Sequence, residues 1–182
     1  MSANGGKNWY EIRSLTEHAS RDKFRPGGGG LMVHAIVPDP SRLHRVSIGI
    51  SVAGFFRSDD DGASWSPFNK GVRADFQPEK FPEVGVCVHR LVMSPQNPDW
   101  LFQQNHCGVY RSRNGGEKWT DVSRGLPSRF GFPMTIAPNA PQTIFVAPAI
   151  DAQHRYCCNA RLGVFRSCDG GDNWQGLRRG LP

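Results

Sequence analysis

A chain of 182 residues, 38% of them hydrophobic and 21% charged, is long enough to bury a core. No run approaches the roughly 18 apolar residues of a membrane-spanning helix. Lys and Arg outnumber Asp and Glu by 22 to 16, but the basic residues are dispersed along the chain, which argues for solubility and against nucleic-acid binding.

The chain opens on "MSANGGKNWY", which lacks the basic start and apolar centre of a cleavable signal. It instead sets Ser2, Asn4, Gly6 and Trp9 in the order Ser-x-Asp/Asn-x-Gly-x-x-Trp. The same order returns as Ser58, Asp60, Gly62, Trp65, as Ser112, Asn114, Gly116, Trp119, and as Ser167, Asp169, Gly171, Trp174. Successive serines are 56, 54 and 55 residues apart, a period that identifies a repeat architecture.

Between the first two copies, "SLTEHASRDKFRPGGGG" (14–30) is a long connection ending in a flexible glycine run. A strand A is then expected in "HAIVPDP" from His34, a strand B in "VSIGIS", and a strand C in "GFFR" after Gly54. The next cycle has the connection "VRADFQPEKFPEVG" (72–85), then "HRLVMSP" from His89, "WLFQQ" and "GVYR". The last has "TIAPNAP", "TIFVAP", an enlarged B-to-C loop "APAIDAQHRYCCNARL" (147–162) and "GVFR". Ile12, Phe68, Val122 and Leu177, each three residues beyond a motif tryptophan, mark a strand D. One period therefore holds four short antiparallel strands, with the motif between C and D.

Within the motif, the Asp or Asn oxygen and the Ser hydroxyl accept backbone N–H groups of a tight turn. Gly admits positive φ, and Trp packs beneath the hairpin. Four-stranded units at this period are the blades of a β-propeller. The expected fold is thus all-β, a single partial propeller domain over 1–182: the end of one blade (1–13) and blades at 30–72, 85–126 and 130–182. Closed propellers hold roughly 4 to 8 blades, so the chain reads as incomplete, with the remaining blades among its partners.

The four copies resemble the Asp-box, or BNR, repeat of sialidases, xyloglucan-degrading glucanases, the sortilin luminal domain and a plant photosystem assembly factor. The resemblance implies a propeller and a structural role for the sixteen motif residues, which in the family sit away from the catalytic face. It does not supply a catalytic set. "FRPGG" (24–28) lacks the isoleucine of the sialidase Phe-Arg-Ile-Pro signature, Tyr110 belongs to a repeated strand, and Tyr10 and Tyr156 have no assignable Glu partner.

Function is therefore expected where the repeats differ. The D-to-A connections at 14–30 and 72–85 and the B-to-C loop at 147–162 should emerge on one face of the propeller and build a site for a small-molecule, glycan or protein ligand. The residues expected there are His34 and His89, at the heads of two A strands; Asn105 and His106, in "QQNHCG"; and Asp75, placed either to orient an imidazole and favour its protonated form or to contact a ligand. The alternative is a glycoside hydrolase using Asp75, Glu79, Glu83 or Asp151, its catalytic set completed by other blades. His34, His89, His106, Cys107, His154, Cys157 and Cys158 all lie toward that face, but without Cys-x-x-Cys or His-x-x-x-His spacing neither a metal nor another cofactor is expected. Cys87, Cys107, Cys157, Cys158 and Cys168, odd in number and unpaired in spacing, fit free thiols in a reducing, cytoplasmic compartment.

Overall fold

The computed structural model describes residues 1–181. Three four-stranded antiparallel sheets follow one another along the chain, each pairing its strands in sequence order. The first holds β1 (Val33–Pro38), β2 (Val46–Ile50), β3 (Gly54–Ser58) and β4 (Ser66–Pro67). The second holds β5 (Val88–Met93), β6 (Leu101–Asn105), β7 (Gly108–Ser112) and β8 (Thr120–Asp121). The third holds β9 (Gly131–Ala137), β10 (Ala140–Pro148), β11 (Val164–Ser167) and β12 (Gln175–Leu177). β5 packs against both β1 and β9, so the first strands of the sheets meet at the inside. The architecture is an incomplete β-propeller. Among the described residues, no helix is long and apolar enough to cross a membrane.

Packing between sheets explains why the middle strands read as apolar runs rather than alternations. Phe55 faces the second sheet with Val86, Leu91, Leu101 and Trp119, while its neighbour Phe56 points to the opposite side with Ile48, Trp65 and Phe24. Phe102, Val109, Ile144 and Phe165 fill the space between the second and third sheets. A sheet covered on both faces needs apolar residues at successive positions.

The glycine that opens each middle strand has a packing reason. Gly54 adopts φ 118°, and a Cβ there would stand 2.6 Å from the Asn69 side chain. That carboxamide is needed where it is: Oδ1 accepts the Phe55 N–H at 2.8 Å, and Nδ2 donates to the carbonyls of Phe55 (3.2 Å) and Glu83 (2.8 Å). In the second sheet Ser123 takes this place, its hydroxyl accepting the Val109 N–H at 2.8 Å and lying 2.5 Å from where a Cβ on Gly108 would be.

All four motif turns share one hydrogen-bond pattern. The hydroxyls of Ser2, Ser58, Ser112 and Ser167 accept the N–H of Gly6, Gly62, Gly116 and Gly171 at 2.7–2.9 Å. Oδ1 of Asn4, Asp60, Asn114 and Asp169 accepts the N–H four residues on at 2.8–3.1 Å, so amide and carboxylate serve alike. The turns also tie sheet to sheet. Trp119 Nε1 donates to the Phe68 carbonyl and Trp174 Nε1 to the Val122 carbonyl, each at 2.8 Å, and each acceptor lies three residues past the previous motif tryptophan. In the other direction Arg57 donates to the Gly115 carbonyl at 3.0 Å and Arg111 to that of Gly170 at 2.9 Å.

The first copy departs from the expected pattern. Its turn forms, but Trp9 is 74% exposed, whereas Trp65 and Trp119 are 7% and 2% exposed. Instead of a strand D at Ile12, residues Arg13–Thr16 form one helical turn, α1. Among the described residues no strand pairs with this segment, which satisfies its own backbone: the Ile12 carbonyl accepts the Leu15 N–H at 3.1 Å. Ile12 and Leu15 still pack on the outer side of the first sheet. Trp65 Nε1, whose counterpart acceptor would be the Ile12 carbonyl, is buried without a partner.

Candidate ligand site at the heads of the inner strands

The inner strands carry rings at equivalent places. His34 on β1 and His89 on β5 each stand six residues before a proline, Pro40 and Pro95; on β9 the same spacing before Pro138 selects Phe132. The third inner strand thus begins before "TIAPNAP", the segment expected to open it. His89 stacks on Phe132 with centroids 4.5 Å apart and planes 18° apart, and meets the edge of His34 at 6.3 Å.

The surrounding loops close on His89. His106, in the turn between β6 and β7, lies 4.7 Å from it, and Phe130, just before β9, lies 5.2 Å away. Phe76 of the 72–85 connection sits edge-on to His106 at 4.9 Å. Arg155 of the 147–162 loop lies over Phe132 at 5.5 Å, and a side chain on Gly28 of the 14–30 connection would begin 3.3 Å from the Arg155 guanidinium. The three segments that interrupt the repeat therefore meet around one ring cluster. An open cavity of about 670 Å³, lined by His34, His89, Phe132, Met134 and Val164 among others, adjoins it.

His89 is buried, and its Nδ1 lies 2.7 Å from the Gly131 carbonyl, an oxygen that only accepts. Nδ1 therefore carries the proton and Nε2 the lone pair. Burial pushes the His89 pKa down to about 4, aided by the like charges of His106, His34 and Arg155 and opposed by the Gly131 bond. Burial and Arg155 likewise lower that of His106. Burial raises that of the Cys87 thiol, which stands two residues before His89 and 3.7 Å from the Ser51 hydroxyl. One ligand atom each of Cys87, His89 and His106 lies within 4.8 Å of the others, a donor set absent from the sequence-level expectation of no metal.

The expected residues divide accordingly. His34, His89 and His106 come together. Asp75 does not orient an imidazole, because its carboxylate is taken by Arg73, two residues away, in an exposed ion pair. The Gly131 carbonyl orients His89 instead, and the ring is held neutral, not protonated. Asn105 is the buried last residue of β6: its Oδ1 accepts the Cys107 N–H at 2.8 Å and so shapes the turn that carries His106. The remaining acids are scattered. Asp151 caps its own loop by accepting the N–H groups of Gln153 and His154 at 2.8 and 2.6 Å, and Glu79 and Glu83 line a separate cavity with Lys23 and Lys70. Cys87, Phe76, Phe130, Phe132 and Arg155 were missed. The spacing to Pro138 would have found Phe132, and the Cys87-x-His89 alternation would have placed the thiol on the histidine's face of the chain.

No protein-family model matches this sequence, and no curated protein matches it. Solved structures do resemble it. An ancestral GH74 enzyme superposes with a TM-score of 0.61 at 22% identity, over 85% of this chain and 19% of that one. The GH74 enzyme of Niastella koreensis gives 0.54 at 20% identity, over 78% and 22%. YCF48 from Cyanidioschyzon merolae gives 0.54 at 16% identity, over 83% and 38%. These propellers share the fold with this chain, which spans about a fifth of the length of the two GH74 enzymes.

Proposed function

We propose that this chain is part of an Asp-box (BNR) propeller that serves as a ligand-binding scaffold, with the ring cluster around His89 as its contact surface. The observation that carries this reading is the convergence of all three repeat-breaking segments on that cluster, away from the motif turns that join the sheets. Side chains at most equivalent repeat positions are spent on packing and inter-sheet bonds, whereas the position held by His34 and His89 on two sheets is taken by Phe132 on the third. Phe130, Phe132 and neutral imidazoles offer flat apolar faces and lone pairs beside an open cavity, which suits a neutral ligand with a ring face, such as a sugar. The Asp-box assignment is supported by the common Ser–Gly and Asp/Asn hydrogen bonds of the four turns.

A glycoside hydrolase is the second reading, favoured by the GH74 neighbours. Hydrolysis usually needs two carboxylates facing one bond, and among the described residues no carboxylate contacts the ring cluster. An enzyme would have to draw its acids from other blades. The test is a panel of neutral oligosaccharides assayed by calorimetry for binding and by reducing-end release for cleavage, with a His89→Ala, His106→Ala double variant beside the unaltered chain. Binding without cleavage, lost in the double variant, supports the scaffold; cleavage supports the enzyme; binding that survives the double variant refutes the assigned surface.

A further inference from the structure

We propose that Cys87, His89 and His106 bind one soft metal cation, and that the charge of their surroundings selects Cu⁺ over Zn²⁺. The proposal is independent of the ligand-binding reading, since it requires no organic ligand. One sulfur and two imidazole nitrogens are donors that late transition metals prefer, thiolate in particular selecting Cu⁺, Zn²⁺ and iron–sulfur centres. A three-coordinate centre with bonds of about 2.0 Å to nitrogen and 2.3 Å to sulfur holds its donors about 3.5–4 Å apart. With the three atoms all within 4.8 Å of one another, the closure needed is at most about 1 Å, within reach of side-chain rotation on the turn that carries His106.

The supporting groups fit a metal ligand. His89 donates Nδ1–H to the Gly131 carbonyl, the outer contact that commonly fixes the tautomer and ring plane of a ligating histidine. Its Nε2 and both ring nitrogens of His106 have no hydrogen-bond partner among the described residues. Cys87 is buried and forms no disulfide. Phe76, Phe130 and Phe132 surround the imidazoles.

Charge decides between the cations. One thiolate and two neutral imidazoles leave Cu⁺ uncharged as a complex but Zn²⁺ with a net positive charge. Arg155 stands beside the cluster and forms no ion pair with a carboxylate among the described residues, so the neutral complex is favoured where the dielectric is low. Binding exchanges the Cys87 thiol proton for the metal, with no change of oxidation state.

The experiment titrates the chelator-stripped, reduced chain with Cu⁺ against bicinchoninate, and with Zn²⁺ against a chromogenic zinc indicator. A Cys157→Ser, Cys158→Ser, Cys168→Ser background removes three of the four other thiols and leaves Cys107, whose sulfur accepts the Asp75 N–H at 3.3 Å. One equivalent of Cu⁺ should be withheld from the indicator, and Cys87→Ser or His106→Ala should abolish that step while leaving the circular dichroism unchanged. X-ray absorption of the copper-loaded background chain needs no change at the site and should report one sulfur and two imidazoles. No withheld equivalent, a centre of other composition, or retention undiminished in Cys87→Ser would overturn the site; tighter retention of Zn²⁺ than of Cu⁺ would overturn the charge argument. Oligosaccharide binding measured on copper-free protein reports on the other reading separately.

Discussion

Trp119 and Trp9 occupy the same place in two copies of one motif, yet one is 2% and the other 74% exposed. Replacing each by alanine separates what the motif does from what its surroundings do. Trp119 meets the Phe55 ring edge-on at 5.3 Å, and its indole N–H reaches the Phe68 carbonyl across the sheet boundary. Trp119→Ala should cost about 3–5 kcal/mol, the range for truncating a buried aromatic. About 1 kcal/mol of that is the hydrogen bond, so Trp119→Phe should fall well below the alanine variant. Trp9→Ala should stay within about 0.5 kcal/mol, as an exposed substitution does. Urea denaturation followed by far-UV circular dichroism reads the midpoints, provided the slope is unchanged between variants. Equal shifts for Trp9→Ala and Trp119→Ala would refute the reasoning, because the first copy would then be packed as the others are.

Two further outcomes follow from particular contacts. Asn69→Ala should cost about 1–3 kcal/mol by leaving the buried Phe55 N–H unpaired, while the Phe55 carbonyl keeps the Phe68 N–H, and Asn69→Ser should recover part of this, since Ser123 does the same work in the next sheet; equal midpoints for the two variants would argue against it. In chelator-treated protein, stability should fall as pH drops from about 6.5 to about 4, because the unfolded chain protonates His89 over that range and the folded chain does not. The full loss is on the order of 3 kcal/mol. His34, His106 and Arg155 face His89 and push the same way, so His89→Gln should flatten the profile, as read from urea midpoints at stepped pH; an unchanged slope in that variant would assign the effect elsewhere.

The fold was legible because its turns are repeated in full chemical detail: a hydroxyl, a side-chain oxygen, a glycine and an indole at fixed offsets leave few alternatives. The failure at Trp9 has the same physical root. The motif specifies a hairpin turn, but burial of its tryptophan depends on a neighbouring strand and sheet, and none packs on Trp9 among the described residues. The site was half legible. His34 and His89 stood out because one residue type recurs at the head of two A strands, and His106 because its turn is more polar than the equivalent one in the preceding repeat, whereas Asp75 was chosen for nearness in sequence and lost to Arg73, which is nearer still. The partner that orients His89 is a backbone carbonyl, and main-chain acceptors leave no mark on a sequence. Cys87 was passed over because ligand spacing was sought along the chain, while the donors meet across two adjacent strands.

The inter-sheet bonds also define what a neighbouring blade must offer at each outer face. From one sheet to the next, a motif tryptophan donates to the carbonyl three residues past the tryptophan before it, and a strand-C arginine donates to a glycine carbonyl in the following turn. Trp65 Nε1 and Arg166 Nε, on the first and third sheets, are both buried without partners. Trp65 Nε1 is the donor this contact uses on the other sheets, whereas the arginine donor there is a terminal guanidinium nitrogen, one of which on Arg166 is engaged with Gln175. On the first sheet the approach is occupied by residues 12–24: Leu15 and Phe24 pack against it, and His18 Nε2 lies 3.0 Å from the Trp65 carbonyl. Yet the helical turn directs the Ile12 carbonyl to its own backbone, so this cover supplies apolar surface without the acceptor. A strand D placed there would satisfy the indole, which makes the helix at Arg13–Thr16 the element whose conformation depends most on whether another blade stands beside it.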